Sequence, residues 1–436
     1  MNKRLFSGML VLLALLLILP FSQAVAQDDV TTITFWHAMG GSREEVVQAL
    51  ADEFNAANPD VHVEPVFTGS YAETLTSALA AIGTGEEPHI VQVYEVGTRA
   101  MLDSSAIVPV MELSGGALDV EQFIAPITNY YTVDGELACM PFNSSTAMLY
   151  YNKDMFREAG LDPEQPPTTF DEVYEMGRQI IESGAAENAI SFGWPAWIFE
   201  QAFAMHDQFL ADEEGGRTGL ASEVYFNSDF GVQVLSEWQR WAEDDVLLYG
   251  GREYSANDPF LAGEFAMLAQ STSSLGGIQG NAEFELGTAF LPRLEGYEPG
   301  NNVIGGGCLW ALQGFSDEEY DAIWRFYQFL SQTEQSIFWH KETGYFPSTN
   351  EAVEALEAEG WFEENPNFST AFDQILAGNN TPAAQGVILG EFVTIRDIIG
   401  AAIEEAVVNG RDPEEALDDA VEEISSLLED YAALNQ

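Results

Sequence analysis

The 436-residue chain carries 71 acidic residues against 15 basic ones, a formal net charge of −56 at pH 7. This balance excludes nucleic acid as a partner, because the sequence offers no basic patch to neutralise phosphates, and it disfavours binding to anionic membranes. With 46% hydrophobic and 12% aromatic residues the chain can still bury a large core, and its length predicts two lobes. The two cysteines, Cys139 and Cys308, are compatible with one disulfide or with two free thiols.

The first 26 residues predict an export signal. Lys3 and Arg4 precede the apolar run LVLLALLLILP, and the segment ends in the small residues AVA at 24–26. A basic start, an apolar run and an A-x-A site are typical of a cleaved signal peptide, and the run is shorter than the roughly 20 residues of a membrane span. We therefore expect cleavage near Ala26 and a periplasmic mature protein; a retained membrane anchor is the alternative.

Strands and helices alternate in the first part of the mature chain. The segment TTITFW at 31–36 is rich in β-branched and aromatic residues and predicts a strand. Ser42 and Glu45 have the spacing of a capping box, which predicts the start of a helix that ends near Asn58. The alternation predicts a parallel α/β sheet, with the lobes joined by strands rather than by a flexible linker. The further predicted elements are strand 61–67, helix 71–82, strand 90–94, a strand at 149–151 and helices 324–338, 394–408 and 413–434.

Sequence patterns of enzymes are absent. The five histidines have no metal-ligand spacing, and the HExxH, G-x-S-x-G, Walker A and GxGxxG patterns do not occur. With so many acids, pairs of carboxylates are unavoidable and select no glycosidase site. We therefore predict no catalysis, no metal and no cofactor.

Aromatic and small polar residues recur where predicted strands end. In open α/β sheets, ligands bind outside the carboxyl ends of the strands, in pockets lined by aromatic residues with a few fixed polar groups. Each residue alone is weak evidence, since a tryptophan is more often a core residue than a ligand platform. Their coincidence with strand ends favours non-covalent ligand binding. They are Trp36-His37, Tyr71, Tyr94-Glu95, 143–146, Trp194, 271–274, 305–307 and Gly344-Tyr345.

Several segments resemble the extracytoplasmic solute-binding proteins of ABC importers (family 1, the sugar-binding group), in order and over nearly the whole mature chain. YYNKD followed by AGLDP is shared by the wider group, whereas QVYEVGT, PFNSST and TGYFP are particular to its glycerol-phosphate branch, the sn-glycerol-3-phosphate-binding proteins. The segments are FWHAMGG (35–41), GSYAETL (69–75), VQVYEVGT (91–98), MPFNSSTAMLYYNKD (140–154), AGLDPEQPPTTF (159–170), VIGGGCLW (303–310), WHKETGYFPSTN (339–350) and TIRDII (394–399).

The resemblance implies an α/β, two-lobed periplasmic-binding-protein fold with a multi-strand hinge and a ligand cleft between the lobes. One lobe would comprise residues 27–139 and about 303–345, and the other about 140–302 and 346–436. The chain would cross between lobes at 140–146, near Val303 and just after Tyr345.

The resemblance also implies the ligand contacts. Glu95 would accept hydrogen bonds from hydroxyl groups, and Arg396 would bind a phosphate bidentately. Trp194 would pack on the carbon skeleton. The spacing alone fits equally well an Arg396 on the helix surface that pairs with Glu391 or Asp397. It likewise fits a Glu95 that is a hydrated acid without a ligand. The implied contact residues are Tyr71, Glu95, Ser145, Trp194, Ser271, Gly306, Tyr345 and Arg396.

Two of these positions depart from the family. Pro195 follows Trp194 and could shift its ring. The QSTSS run differs around Ser271, so that Thr272 or Ser273 could take its place.

The implied function is capture of sn-glycerol-3-phosphate, or of a glycerophosphodiester such as glycerophosphocholine, and its delivery to ABC permease subunits by a monomeric binding protein. The first alternative is an oligosaccharide-binding protein of an ABC sugar importer. The second is a secreted hydrolase of sugars or phosphodiesters, which would consume its ligand where a binding protein returns it intact.

Overall fold

The computed structural model describes residues 30–435, so the predicted signal peptide at 1–26 lies outside the described residues. The strands are β1 Thr31–His37, β2 Val61–Phe67, β3 Ile90–Tyr94, β4 Ile107–Val108, β5 Thr132–Val133, β6 Glu136–Leu137, β7 Met140–Ser145, β8 Ala147–Asn152, β9 Asn188–Phe192, β10 Leu247–Leu248, β11 Phe265–Ser271, β12 Leu286–Ala289 and β13 Gly305–Leu312.

The helices of the first half of the chain surround these strands. They are α1 Ser42–Ala57, α2 Tyr71–Ala81, α3 Thr98–Asp103, α4 Val110–Leu113, α5 Ala125–Tyr131, α6 Lys153–Glu158, α7 Phe170–Ser183, α8 Pro195–Met205 and the left-handed turn α9 Asp212–Gly216. Single 3₁₀ turns occur at Glu95–Gly97, Val120–Gln122, Thr272–Ser274 and Ala383–Gln385.

The second half of the chain is mainly helical. Its helices are α10 Asp229–Glu243, α11 Asn257–Leu261, α12 Leu275–Asn281, α13 Asp317–Leu330, α14 Thr333–Thr343, α15 Asn350–Ala358, α16 Trp361–Glu364, α17 Pro366–Ala377, α18 Phe392–Val407 and α19 Pro413–Leu434.

The first sheet has the strand order β2-β1-β3-β13-β4, and β7 also pairs with β13. Strand β1 is parallel to both β2 and β3, as the alternation of strands and helices predicts, whereas β13 is antiparallel to β3. Ile33 and Phe35 of β1 and Trp310 of β13 are buried in its core. The carboxyl ends of β1, β2 and β3 therefore lie at one edge of this sheet.

The second sheet has the strand order β10-β9-β11-β8-β12. Strand β9 is parallel to β10 and β11, and β8 is antiparallel to β11 and β12. All six residues of β8 are buried, which is typical of a strand covered on both faces. Helices α8, α10, α18 and α19 pack together over this sheet around Phe192, Trp238 and Trp241.

The chain passes from the first sheet to the second at Thr146, which separates β7 from β8. It returns to the first sheet at Gly305, where β13 begins. A disulfide joins Cys139, just before β7, to Cys308 in β13, with the two Cα atoms 5.9 Å apart. Of the two states that the sequence allows for the cysteines, the structure has the disulfide. The predicted lobe boundaries remain a prediction.

Two local predictions are wrong in detail. Gly41, with φ of 63°, is the N-cap residue of α1, so Ser42 already lies in the helix and its side chain does not cap it. Complete capping boxes instead begin α2, α7 and α13. The helix predicted over 324–338 is two helices, α13 and α14, because the backbone leaves the helical region at Gln332. Across residues 30–435, no helix combines the length and the apolar character that a membrane crossing requires.

Candidate ligand-binding cleft

Several of the predicted contact residues lie at strand ends of the two sheets. Glu95 directly follows β3, and Tyr71 begins α2 after β2. In the second sheet, Ser271 ends β11, and Trp194 follows β9. Because the carboxyl ends of parallel strands meet at one edge of a sheet, the residues named in each sheet lie at one edge of that sheet.

A chain of hydrogen bonds fixes the two tyrosines of the cleft. Gln92 Nε2 donates to Asn143 Oδ1 (2.7 Å), and Asn143 Nδ2 donates to Tyr71 Oη (2.7 Å). Tyr71 Oη lies 3.1 Å from Tyr345 Oη. The backbone amide of Ala38 donates to Gln92 Oε1 and so fixes the orientation of that amide. Because Tyr71 accepts from Asn143, its own proton is free to be donated.

Packing holds both tyrosine rings in place. The ring of Tyr71 stacks on that of Tyr94, with centroids 5.2 Å apart and planes 6° apart. The ring of Tyr345 stacks on Trp339. Burial raises the pKa of Tyr71 well above its usual range, with the neighbouring Tyr345 adding to the effect. Tyr71 is therefore a neutral hydroxyl donor at physiological pH.

The two central strands add a hydroxyl and a backbone amide to this region. Ser145 ends β7 and lies opposite Gly305 of β13, and Asn143 lies on the same face of β7 because side chains alternate along a strand. Gly306 has φ of +93°, and a Cβ there would lie 1.8 Å from the carbonyl oxygen of Asn143. Only glycine therefore fits at this position, and its backbone can approach a ligand closely.

The turn after β11 faces an arginine of the other lobe. Ser271 Oγ lies 2.9 Å from Ser273 Oγ, and Tyr150 Oη donates to the carbonyl oxygen of Ser271 (2.7 Å). Arg43, in the first turn of α1, donates from Nη2 to the carbonyl oxygen of Ser273 (2.9 Å). Its guanidinium carbon lies 5.4 Å from the ring centroid of Tyr345. We call Tyr71, Ser145, Ser271, Gly306 and Tyr345 the donor end of the cleft.

Arg396 is held between two carboxylates. Its Nε and Nη2 atoms donate to the two oxygens of Glu200, each at 2.7 Å, and Nη2 also lies 2.8 Å from Glu95 Oε1. Glu95 and Glu200 are 5% and 4% exposed, so this is a buried cluster with a net charge of −1 when all three groups are ionised. The expected surface partners Glu391 and Asp397 are not the ones observed. We call Glu95, Glu200 and Arg396 the acidic end.

Burial and charge act against each other at the acidic end. Burial raises the pKa of Glu95, and the charge and hydrogen bond of Arg396 oppose that rise. Burial alone would lower the pKa of Arg396, but the two carboxylates outweigh it and raise the pKa. Arg396 is thus firmly protonated, and it is the group that keeps two buried acids together. A small, partly open pocket lies at this end, lined by Glu95, Glu200 and Arg396 together with Tyr130 and Phe392.

Trp194 lies apart from both ends. Its side chain is 46% exposed, and its backbone is left-handed, with φ of 59° and ψ of 64°. Its amide donates to the carbonyl oxygen of Tyr254 (3.1 Å), and Pro195 begins α8 after it. A bulky residue in this conformation is unusual. An exposed indole one strand away from Ser271 offers a flat apolar surface at the rim of the cleft.

Glu200, Arg43 and Gln92 are not among the predicted residues, and the hydrogen bond between Gln92 and the predicted strand-end residue Asn143 was not foreseen. Glu200 had a detectable signal, since it is a carboxylate in the otherwise largely apolar segment PAWIFEQAFAM. Arg43 had none, because its neighbours Tyr345 and Ser273 are more than 200 residues away in the chain. No group of three histidine, cysteine or acidic residues with the geometry of a metal site occurs in the described part of the chain.

The chain matches a known protein family over most of its length. The model of the bacterial extracellular solute-binding protein family matches residues 49–370. The sn-glycerol-3-phosphate-binding periplasmic protein UgpB of Salmonella paratyphi A is 38% identical over 426 residues, which cover 95% of this chain and 96% of that protein. UgpB of Escherichia coli K12 is 37% identical over 407 residues, covering 92% and 93%.

Solved structures share the fold. UgpB from Mycobacterium tuberculosis, in complex with glycerophosphocholine, superposes with a TM-score of 0.78 at 20% identity, covering 92% of this chain and 99% of that one. The cyclic alpha-maltosyl-1,6-maltose binding protein of Arthrobacter globiformis gives 0.76 at 22% identity, covering 92% and 100%. The predicted two-lobed α/β architecture is confirmed.

Proposed function

The chain belongs to the bacterial extracellular solute-binding proteins, and from this premise we propose that it is the periplasmic binding component of an ABC importer with sn-glycerol-3-phosphate as its ligand. Its relatives named UgpB are sn-glycerol-3-phosphate-binding periplasmic proteins and match it over nearly their whole length. The observation that carries the proposal is a cleft whose two ends differ in chemistry. One end offers neutral donors, and the other offers carboxylate acceptors.

The donor end suits the phosphate. Tyr71 and Tyr345 present hydroxyls 3.1 Å apart, and Ser145, Ser271 and the amide of Gly306 supply further donors nearby. Backbone amides next to glycine form concavities that bind anions. Because hydroxyl and amide donors can surround several oxygens at once, they satisfy a phosphate without depending on one cation.

The acidic end suits the glycerol hydroxyls. Arg396 contacts Oε1 of Glu95, which leaves Oε2 to accept from a hydroxyl. A phosphate placed here would add negative charge to a cluster that already carries −1. We therefore assign Arg396 to positioning Glu95, and through its free Nη1 to a hydroxyl oxygen, in place of the phosphate role that the resemblance implies.

A glycerophosphodiester is the second candidate ligand. The exposed indole of Trp194 follows the strand next to the one that ends at Ser271, and we propose that it meets a substituent on the phosphate. A tryptophan face also attracts quaternary ammonium groups. The structure of UgpB from Mycobacterium tuberculosis is described as a complex with glycerophosphocholine.

The proposal includes no catalytic step. The relatives are solute-binding proteins, and we propose that this chain likewise delivers its ligand unchanged, as an exported monomer cleaved near Ala26, to permease subunits. Amino-terminal sequencing of the exported protein would test the cleavage site. Light scattering would test the monomer.

The decisive experiment is calorimetric titration of the mature protein with sn-glycerol-3-phosphate, glycerophosphocholine and maltose. We expect saturation at one equivalent with a phosphate ligand and none with maltose, and phosphorus NMR should show the bound ligand to be intact. Binding of maltose alone would favour the oligosaccharide-binding alternative. Loss of the ligand over time would favour the hydrolase.

A further inference from the structure

We propose that Arg43 is the cation that recognises the phosphate at the donor end of the closed cleft and so sets the preference for anionic over neutral ligands. The inference rests on the proposed function, because it assumes that a phosphate occupies the donor end. It concerns a residue that the sequence analysis did not single out.

The position of Arg43 brings its guanidinium to two parts of the donor end, the turn after β11 and the ring of Tyr345. The residue follows the Gly40-Gly41 turn at the carboxyl end of β1. Its guanidinium donates to the carbonyl oxygen of Ser273 (2.9 Å) and lies 5.4 Å from the ring of Tyr345. Ser273 Oγ in turn lies 2.9 Å from Ser271 Oγ. The guanidinium thus sits between the two lobes, beside the hydroxyls that would surround a phosphate.

Arg43, unlike most basic residues of the described chain, has no carboxylate partner. Within residues 30–435, only Arg43, Arg217 and Arg293 have no carboxylate oxygen within 4.0 Å. The guanidiniums of Arg217 and Arg293 are directed to backbone carbonyl oxygens away from the donor end. In a chain with 71 acids, an arginine that is kept clear of carboxylates retains its full charge for a ligand.

The other charged and titratable groups cannot supply this charge. Arg396 is already bound by two carboxylates. Burial lowers the pKa of His37 to about 4 and that of His340, which lies next to Tyr345, to about 4. Both imidazoles are therefore neutral at physiological pH. Among the described residues around the donor end, Arg43 is left as the available positive charge.

The field of Arg43 reaches the hydroxyls concerned. Burial dominates the raised pKa of Tyr71 and of Tyr150, and the charge of Arg43 acts in the opposite direction on both. A cation that favours a phenolate oxygen at these positions equally favours the oxygens of a bound phosphate. Guanidinium also matches phosphate oxygens in a bidentate geometry.

The contact of Arg43 with Ser273 joins the two lobes. The residue that recognises the phosphate therefore also contributes to closure of the cleft. In an open cleft the guanidinium would remain hydrated on its own lobe. Closing brings it to the turn that follows β11, together with the phosphate. A ligand that binds the closed form more tightly shifts the population towards it.

The test compares Arg43→Gln, Arg43→Lys and the matched control Arg178→Gln by calorimetric titration with sn-glycerol-3-phosphate. Glutamine can still donate to the carbonyl oxygen of Ser273 but carries no charge. Arg178 lies on α7, where its partners are Glu182 and Asp244, so its removal changes the net charge equally without altering the cleft. We expect Arg43→Gln to weaken binding about tenfold to hundredfold. Arg43→Lys should be intermediate and Arg178→Gln unchanged.

A second ligand separates charge recognition from a purely structural role. Glycerophosphocholine carries one negative charge on its phosphate, whereas the monoester carries about −1.5 to −2 at pH 7. Arg43→Gln should therefore weaken binding of the diester less than that of the monoester, and the thermal midpoint of the ligand-free protein should stay the same.

The inference is overturned if Arg43→Gln binds sn-glycerol-3-phosphate as tightly as the wild type, or if Arg178→Gln loses as much affinity. Equal losses for monoester and diester would also overturn it, since they would indicate a structural contact. Failure of the proposed function gives a different result, because the wild type itself would then bind neither phosphate compound.

Discussion

At the scale of single residues, Glu95 shows how a buried acid stays ready for a ligand. It is 5% exposed, and burial raises its pKa, while Arg396 Nη2 lies 2.8 Å from its Oε1. The second oxygen remains an acceptor of the charged kind, which forms the stronger hydrogen bonds. The two hydrogen bonds from Arg396 to Glu200 hold the guanidinium in place without occupying that oxygen.

Glu95→Gln keeps the shape of this site and removes the charge. Loss of a hydrogen bond to a charged group typically costs about 1.5–3 kcal/mol. We therefore expect the affinity for sn-glycerol-3-phosphate to fall roughly tenfold to hundredfold, measured by calorimetry. Glu64→Gln, at an exposed position of β2 in the same lobe, is the control and should bind as the wild type does. Wild-type affinity in Glu95→Gln would remove Glu95 from the site.

Single residues also show what the sequence could and could not predict. Glu95 and Arg396 were both found through the resemblance, but their contact with each other and with Glu200 was not. The three residues lie on β3's end, α8 and α18, so only the folded chain brings them together. Local patterns carry no information on such distant pairs, and the net charge of the cluster therefore could not be predicted.

At the scale of elements, alternate residues of β7 lie towards the cleft and towards the core. Asn143 and Ser145 lie on the face towards Tyr71, whereas Phe142 packs against Trp339 and Ser144 is buried. Ser144 Oγ finds no hydrogen-bond partner in the described part of the chain. Ser144 and Ser145 are thus adjacent residues with the same side chain, but only Ser145 belongs to the donor end.

Asn143→Asp tests the direction of the hydrogen bonds along this strand. A carboxylate still accepts from Gln92 but cannot donate to Tyr71, so Tyr71 would donate its proton to Asp and no longer to the ligand. The new negative charge would also repel a phosphate. We expect affinity to fall at least about tenfold, the loss typical of one charge-assisted hydrogen bond.

The control for this experiment is Ser144→Ala, on the opposite face of β7. It removes a hydroxyl without a partner and should leave both affinity and thermal midpoint unchanged. If Asn143→Asp binds as tightly as Ser144→Ala does, Tyr71 is not a donor to the ligand. Calorimetry on the two variants side by side provides the comparison.

Elements were predictable where their signals are local. The order β1, α1, β2, α2, β3 follows from strand and helix patterns within 31–94, and the late helices α18 and α19 were found within two residues of their bounds. The pairing of β13 with β3 and β7 was not predictable, because it joins segments more than 150 residues apart. The cap of α1 failed because a glycine with positive φ replaced the expected side chain.

At the scale of the whole molecule, several polar contacts join the two lobes, among them Arg217 with Tyr130 and Tyr130 with Val387, and two further ones lie beside the proposed ligand groups. Arg396 binds Glu95, and Arg43 binds the carbonyl oxygen of Ser273. Both contacts would break if the lobes separated, and both lie beside the proposed ligand groups. We therefore expect an open population without ligand and a closed one with it.

Small-angle scattering measures this closure directly. Adding sn-glycerol-3-phosphate to the mature protein should reduce its radius of gyration, and maltose should not. Arg43→Gln should still close at saturating ligand, because its effect is on affinity. A radius that does not change at saturation would contradict the two-lobed clamp.

Buried histidines should make the molecule sensitive to acid. Burial lowers the pKa of His37, His206 and His340 from 6.5 to about 4 in the folded protein. Between these values the unfolded chain binds more protons than the folded one, so stability is full above pH 6.5 and is lost as the pH falls towards 4. Each histidine contributes up to about 1.4 kcal/mol per pH unit in this window.

Urea denaturation at pH 7, 6 and 5 and constant ionic strength would show this loss as a falling free energy of unfolding. Protonation of surface carboxylates relieves charge repulsion mainly below about pH 5. Protonation of Glu95, whose pKa is raised by burial, would add stability as the pH falls, so a loss of stability from pH 7 to pH 5 reports the histidines. A free energy of unfolding that stays constant or rises over that interval would show that the imidazoles are not held neutral.

The disulfide between Cys139 and Cys308 has a consequence for the integrity of the exported chain. It spans a sequence separation of 169 residues and so closes most of the second sheet into a covalent ring. Glu213, Glu214 and Glu253 are exposed residues within that ring. A protease that cuts there would nick the protein without releasing a fragment, and the pieces would separate in electrophoresis only after reduction. The chain can therefore be cleaved at these exposed residues and still remain one molecule.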